Sequence, residues 1–258
     1  MPLRVMTYNI LEGGADREAY IQQVIQAVNP HLVILQEVTD PKILVSLAEA
    51  CQMQLFLGTG NKKTKVALLS QIPVSNFKSH HPFFPIWHNI AEAEIYYQPN
   101  QSFLLIGVHL VANLWFGFEL WRYLEVNYII KRYKQFFEQP CLIAGDFNAI
   151  APHDKVIIRS MPASLKAILF LQGNRVFRFS IQKLLSAGFI DSFRFINPRE
   201  DGFTLPPPQP NTRLDYIFIN QAMQRHLVNC WVVREPNHVN EASDHYAVVA
   251  EFDLDIQN

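Results

Sequence analysis

Three short polar motifs carry the reactive groups of this chain: Gln36-Glu37, Gly145-Asp146-Phe147-Asn148 and Ser243-Asp244-His245. Each adjoins an apolar run, which would set a carboxylate, amide or imidazole at the end of a buried strand. Carboxylates gathered on one rim of a sheet suit a hard divalent cation, which takes one or two of them and leaves positions for water and a phosphate oxygen. Asp146 and Asn148 share a side of the chain if the backbone stays extended, and an acid beside an amide suits water activation and phosphate anchoring. The competing arrangement for this pair is an Asx turn with local backbone bonding. Asp244 and His245 diverge in an extended segment, so one can face a cation and the other a phosphate. A histidine in that role needs a carboxylate to hold its tautomer and stabilise its charged form, and Asp215 is the candidate.

Strands rich in Val, Ile and Leu must position these groups. Leu3 to Tyr8 leads to Asn9, Leu32 to Leu35 to Gln36-Glu37, Phe103 to Val108 to His109, and Cys141 to Ala144 to Gly145-Asp146. Leu214 to Ile219 contains Asp215, and Tyr246 to Phe252 follows Asp244-His245. Helical spacing of Ile21, Val24, Ile25 and Val28 predicts a helix over Asp16 to Val28, ended by Asn29-Pro30. A second is predicted over Pro41 to Cys51 behind an Asp40 N-cap. Others are expected over Glu119 to Glu138, Ala163 to Leu171 and Ile181 to Ala187, with an antiparallel pair within Phe83 to Tyr97. Pro-rich Leu205 to Pro210 is either an extended loop at the edge of the site or a plain surface connection. Strands alternating with helices predict an α/β fold: a two-sheet, four-layer sandwich with helices on the outer faces.

A chain of 258 residues with 49% hydrophobic content fits one domain over residues 1–258. No apolar stretch reaches the roughly 18 residues that span a bilayer. The N-terminus also lacks a charged region followed by an apolar one, so the expected compartment is the cytoplasm. Cys51, Cys141 and Cys230 are odd in number and widely spaced, which predicts buried thiols rather than disulfides or a zinc motif. A net charge of −1 is not that of a strong duplex binder. That average hides an asymmetry: residues 155–190 hold six basic residues and no Asp or Glu, leaving 16 basic against 23 acidic residues in the whole remainder. The same segment mixes those cations with apolar groups, and Leu114-Trp115-Phe116-Gly117-Phe118 is a bulky apolar patch after His109. Both stretches suit peripheral contact with an anionic membrane, and both also suit core packing. Nothing in the sequence calls for an obligate protein partner.

Eight strings recur in a fixed order along nearly the whole chain: Met6-Thr7-Tyr8-Asn9-Ile10, Leu35-Gln36-Glu37, Leu68-Leu69-Ser70, Gly107-Val108-His109-Leu110, Gly145-Asp146-Phe147-Asn148, Gly188 to Arg194, Arg213-Leu214-Asp215-Tyr216 and Ser243-Asp244-His245. In these the chain resembles the endonuclease/exonuclease/phosphatase superfamily of metal-dependent phosphoesterases, with a DNase-I-like fold. The resemblance implies Mg²⁺, with Mn²⁺ as a substitute, held by Glu37 and Asp244 with Asn9 as a ligand or as a group orienting bound water. It gives Asp146 the attacking water and Asn148 a phosphate oxygen. It pairs Asp215 with His245, which faces the scissile phosphate as base or clamp. His109 would contact the phosphate and protonate the leaving oxygen, with Asn113 on the same phosphate. The implied reaction is in-line attack of water on a phosphodiester, of nucleic acid or a phospholipid headgroup, or on a phosphomonoester. The alternative is a silent module that binds a phosphorylated ligand or partner; such a module has no need of both water activation and a paired histidine. Abasic-site nucleases of this superfamily carry an acid two positions after the first Asn, where this chain has Leu11. They also carry an aromatic residue shortly before the Arg-Leu-Asp-Tyr string and a Tyr after the histidine strand, in place of Pro210-Asn211-Thr212 and Val111-Ala112-Asn113, so repair nuclease activity is disfavoured. Asp191 and Arg194 serve either an internal salt bridge and helix end or the substrate. His31, His80, His81, His88, His153, His226 and His238 are expected on loops or the surface.

Overall fold

The computed structural model describes residues 2–60 and 63–254. Among these are twelve strands: β1 (Leu3–Asn9), β2 (Leu32–Val38), β3 (Gln54–Leu57), β4 (Lys65–Ser70), β5 (Val74–His80), β6 (Ile90–Gln98), β7 (Gln101–His109), β8 (Cys141–Asp146), β9 (Ile190–Asp191), β10 (Asp215–Ile219), β11 (Leu227–Val232) and β12 (Val248–Phe252). They form two six-stranded sheets, ordered β11-β12-β1-β2-β4-β3 and β5-β6-β7-β8-β10-β9. Pairing is parallel for β1 with β2 and for β7 with β8. The other pairs are antiparallel. The helices used below are α1 (Glu18–Val28), α2 (Pro41–Ala50), α3 (Phe116–Tyr133), α4 (Ala163–Leu171), α5 (Phe179–Ser186) and α6 (Ser192–Ile196).

Alternate residues of each strand enter different cores. Val5, Ile34, Leu105, Ala144, Ile217 and Ala250 meet between the sheets. Their neighbours Met6, Leu35 and Val249 pack outward against Ile21, Val24, Leu44 and Leu47 of α1 and α2. Behind the second sheet, Ile106, Val108 and Ile143 meet Val126 and Ile129 of α3 and Ile181 and Leu184 of α5. The layers therefore run helix, sheet, sheet, helix, and burial on both faces explains why the central strands are continuous apolar runs. Full burial stabilises each such side chain by about 1.5–3 kcal/mol over exposure, and Ile21, Val24, Ile25 and Val28 make this contribution from α1.

Helix ends follow local chemistry. Asn29 adopts a left-handed conformation and donates its N–H to Ile25 O, stopping α1 before Pro30. The Asp40 carboxylate accepts the Lys42 N–H at 2.8 Å and caps α2. α3 departs from expectation: it starts at Phe116 and ends at Tyr133, burying Glu119, Arg122 and Glu125 while exposing Leu120 and Leu124. It buries charges beside Val126, Ile129 and Tyr133, and a 3₁₀ helix over Lys134–Phe136 follows it, so the expected span of Glu119 to Glu138 misses its first residues and runs past its end. Residues 82–89 contain no antiparallel strand; β6 pairs instead with β5, none of whose residues is fully buried. β12 begins at Val248 rather than Tyr246 because Asp244 and His245 occupy a bend. All three cysteines are buried and free. Among the described residues, no helix is long and apolar enough to cross a membrane.

Candidate functional site

One rim of the sandwich collects the ends of β1, β2, β7 and β8, the start of β10 and the bend before β12. Strand register does most of the alignment. Asn9 lies beside Gln36, His109 beside Asp146, and Asp215 opposite Asp146. Gly145 is at φ 156°, where an added Cβ would sit 1.9 Å from the Val108 carbonyl oxygen. Glycine is thus needed for β8 to run against β7 and deliver Asp146. In β2 the register shifts between Leu35 and Val38, and Glu37 sits at φ 61°. This bulge separates two neighbours: Gln36 is buried, donating to Thr7 Oγ1 at 3.0 Å, while Glu37 is re-aimed toward the rim.

Asn9 Nδ2 donates to Glu37 Oε1 at 3.2 Å and to Asp146 Oδ2 at 3.1 Å. Asp146 Oδ2 also lies 3.5 Å from His109 Nε2 and 3.9 Å from His245 Nε2. His245 Nδ1 is 2.8 Å from Asp215 Oδ2. Ser243 Oγ donates to the Asn9 carbonyl at 2.6 Å and accepts the His245 N–H at 3.2 Å, fixing the bend that carries Asp244 and His245. The extended backbone expected over 146–148 is replaced by an Asx turn. Asn148 is at φ 48°, and its N–H donates to Asp146 Oδ1 at 2.8 Å. Its amide still reaches Asp146 Oδ2 at 3.2 Å, so the two side chains meet by folding back rather than by alternation. Asp244 is half-buried on the rim. Asn113 stands off from this cluster: it is exposed, and its Oδ1 accepts the Trp115 N–H at 3.0 Å.

Burial and the carboxylate of Asp215 push Asp146 up to about 7. Burial also raises Asp244, reinforced by the Glu37 and Asp215 charges and opposed by His245. Burial alone would lower His245, but the Asp215 and Asp146 carboxylates outweigh it and raise the ring to about 10, so it is an imidazolium at neutral pH. His109 goes the other way: burial, then the neighbouring His88 and His245, hold it well below its ordinary value and neutral.

Four carboxyl groups thus converge with one imidazolium, an excess of negative charge that a divalent cation would offset. Glu37, Asp244 and the amide of Asn9 provide the hard oxygen donors that Mg²⁺ or Mn²⁺ takes. Asn9 turns its NH₂ toward the carboxylates while its Oδ1 accepts the Leu11 N–H at 3.0 Å, an orienting arrangement; ligation through oxygen requires the amide to turn. Among the described residues, Asp146, Asp215 and His245 also offer ligand atoms within 4.8 Å of one another. That trio fits less well, because a protonated His245 has no lone pair to give.

Several supporting residues carried no motif in the sequence. His88, expected on a loop or the surface, lies on the connection between β5 and β6 but is buried and stacks on His109 with ring centroids 4.1 Å apart. Arg122 Nη1 donates to the carbonyls of Val111 and Asn113 at 2.9 and 2.8 Å. Glu125 accepts the N–H groups of Trp87 and Val111 at 2.8 and 3.0 Å. The charged spacing 119, 122, 125 was the available signal for this inward-facing stripe. Asp191 and Arg194 take the salt-bridge and helix-end roles. Asp191 accepts the Arg194 N–H at 3.1 Å to cap α6 and holds Arg213 at 2.9 Å. Arg194 pairs with Asp154 at 2.9 Å.

Comparison with known proteins bears on the fold and the family. The chain is similar in fold to an AP endonuclease from Archaeoglobus fulgidus (TM-score 0.75, 18% identity, 98% of this chain and 100% of that one). It is likewise similar to the 3' phosphatase NExo from Neisseria bound to a product DNA hairpin (TM-score 0.76, 20% identity, 97% and 99%). A third such structure is D. rerio TDP2 complexed with a single-strand DNA product (TM-score 0.69, 16% identity, 97% and 98%). No curated protein matches the chain in sequence. The Endonuclease/Exonuclease/phosphatase family pattern matches residues 6–245, from the first motif strand to the paired histidine, and the chain belongs to that family.

Proposed function

We propose that residues 1–258 act as one phosphoesterase unit that hydrolyses a phosphoester by in-line attack of water, with Mg²⁺ or Mn²⁺ held by Glu37 and Asp244 beside Asn9. When bound, the cation supplies Lewis acidity at the phosphoryl oxygens. Asp146 orients the attacking water and takes its proton, a task suited to a carboxyl poised near neutrality. The His245 imidazolium, oriented by Asp215, clamps the phosphate and stabilises charge that builds on it. Asn148 and neutral His109 donate hydrogen bonds to phosphoryl and leaving oxygens, with Asn113 further out. The substrate is a phosphodiester of nucleic acid or of a phospholipid headgroup, or a phosphomonoester.

The observation that carries this proposal is the Asp146 carboxylate, buried at the meeting point of Asn9, Asn148, His109 and His245. Hydrolysis of bis-p-nitrophenyl phosphate with Mg²⁺ tests it. Asp146→Asn and His245→Ala should each lose at least about a hundredfold in rate, and EDTA should silence the parent until Mg²⁺ or Mn²⁺ is restored. Turnover in either variant within about tenfold of the parent, about 1.4 kcal/mol of barrier, would sink the assignment. A parent that binds phosphate esters and never cleaves them would be a binding module.

A further inference from the structure

α4 breaks the usual relation between apolar composition and burial. Its sequence is ASLKAILFL, yet of these residues Leu169 is the one buried. Phe170 and Leu171 are 74% and 68% exposed, and nearby Trp115 and Phe116 are about 40% exposed. An apolar helix is ordinarily found inside a core, and a contiguous exposed apolar patch marks a binding surface. The two segments approach each other: Gln172, at the end of α4, donates to Leu114 O at 3.3 Å, and Phe116 packs on Phe177 at 4.7 Å. Arg159, Lys166 and Arg175, before, within and after α4, are exposed, and no acidic residue falls between 155 and 190.

The patch adjoins the reaction site. A cavity of about 320 Å³ is lined by Asn113, Asn148 and Asp244 together with apolar groups that include Met161, Leu165, Phe177, Leu205 and Leu214. Residues of the reaction site and apolar side chains thus share one chamber, to which α4 contributes Leu165.

We propose that the substrate is an amphiphilic phosphoester delivered from an anionic lipid surface, with α4 and the 114–116 segment docking on that surface and the cavity receiving the apolar part beside the scissile phosphate. The proposal rests on the phosphoesterase function proposed above. Water adds its oxygen to phosphorus, the ester P–O bond breaks, and the leaving oxygen ends protonated, so no further reactant is needed. Exposed apolar residues and exposed cations on one acid-free segment match a membrane interface, where apolar groups insert and cations meet headgroups. Nucleic acid calls for a basic track with stacking aromatics, and the rest of the chain is acidic.

Two measurements test this. Sedimentation with phosphatidylcholine vesicles, with and without phosphatidylglycerol, should show the protein binding the anionic vesicles more tightly. Phe170→Ser with Leu171→Ser should weaken that binding at least about tenfold, with an unchanged melting temperature to certify the fold. Turnover of alkyl p-nitrophenyl phosphates should rise at least about tenfold in kcat/KM from methyl to hexyl. Cleavage of the methyl ester with no vesicle binding, or with no effect of chain length, would overturn the lipid inference and leave the phosphoesterase proposal standing. Preferred cleavage of DNA or RNA over vesicle lipid would overturn it in favour of a nuclease. A parent no better than Asp146→Asn on any ester would remove both.

Discussion

Arg213 is fully buried, and its guanidinium is held by Asp191 on one side and by Asp154 at 2.8 Å on the other. The backbone it anchors reaches Asp215 two residues later, so this ion network positions the carboxylate that charges His245. Asp191→Ala would strand half of a buried cation's partners. It is expected to cost about 3–5 kcal/mol in urea unfolding and to lower kcat through misplacement of Asp215; a loss under about 1 kcal/mol, the value of an exposed pair, would mean the network is solvated. The convergence of Asn9, Glu37, His109, Asp146, Asp215 and His245 on one rim was legible because each adjoins an apolar run. His88 was not, since its contribution is a ring stacked across a loop, which leaves no periodicity or spacing. The extended segment was the favoured reading at Asn148 and the Asx turn the lesser one, and the structure takes the turn because the Asp146 carboxylate captures the Asn148 N–H.

α3 shows how an element supports a site that it does not enter. Its Glu125 is pushed up to about 7 by burial, opposed by the N–H groups of Val111 and Trp87 and by Arg122. A carboxyl raised on folding binds its proton more tightly in the native state. The stability this confers is complete below the ordinary carboxylate range and is lost as pH rises through about 7. Glu125→Gln keeps one acceptor for two backbone donors. Its melting temperature should fall below the parent's at pH 5, and the gap should narrow by pH 8; parallel pH profiles would contradict the role of Glu125. That these charges face inward was not legible in the sequence, because a helix ordinarily buries its apolar side. β1, β2, β7 and β8 were legible as strands buried on both faces. β5, an edge strand of mixed polarity, was not, and the span of α4 was legible while its exposure was not.

The sandwich as a whole divides the site between its halves. Asn9 and Glu37 belong to one sheet and His109, Asp146 and Asp215 to the other, so the proposed site depends on the distance between sheets. Gly107 sets that distance locally: an added Cβ would come 2.8 Å from Ile34 Cγ2 of the facing sheet. Gly107→Val is expected to cost about 1–3 kcal/mol by overpacking. It should also lower kcat more than Ile21→Val, which loosens the outer face by about 0.5–1.5 kcal/mol; equal kcat values in the two variants would show that the halves adjust independently. The strand order also bears on how the protein is made. The second sheet comes from one uninterrupted stretch, β5 to β10, whereas the first is assembled from both ends of the chain, with β12 inserted between β11 and β1. On the ribosome the second sheet can close while β1 still waits for its neighbour, an open edge that invites pairing with other chains. Asp244 and His245 emerge only after β11, so the rim cluster stays incomplete until the bend that follows β11 has been made.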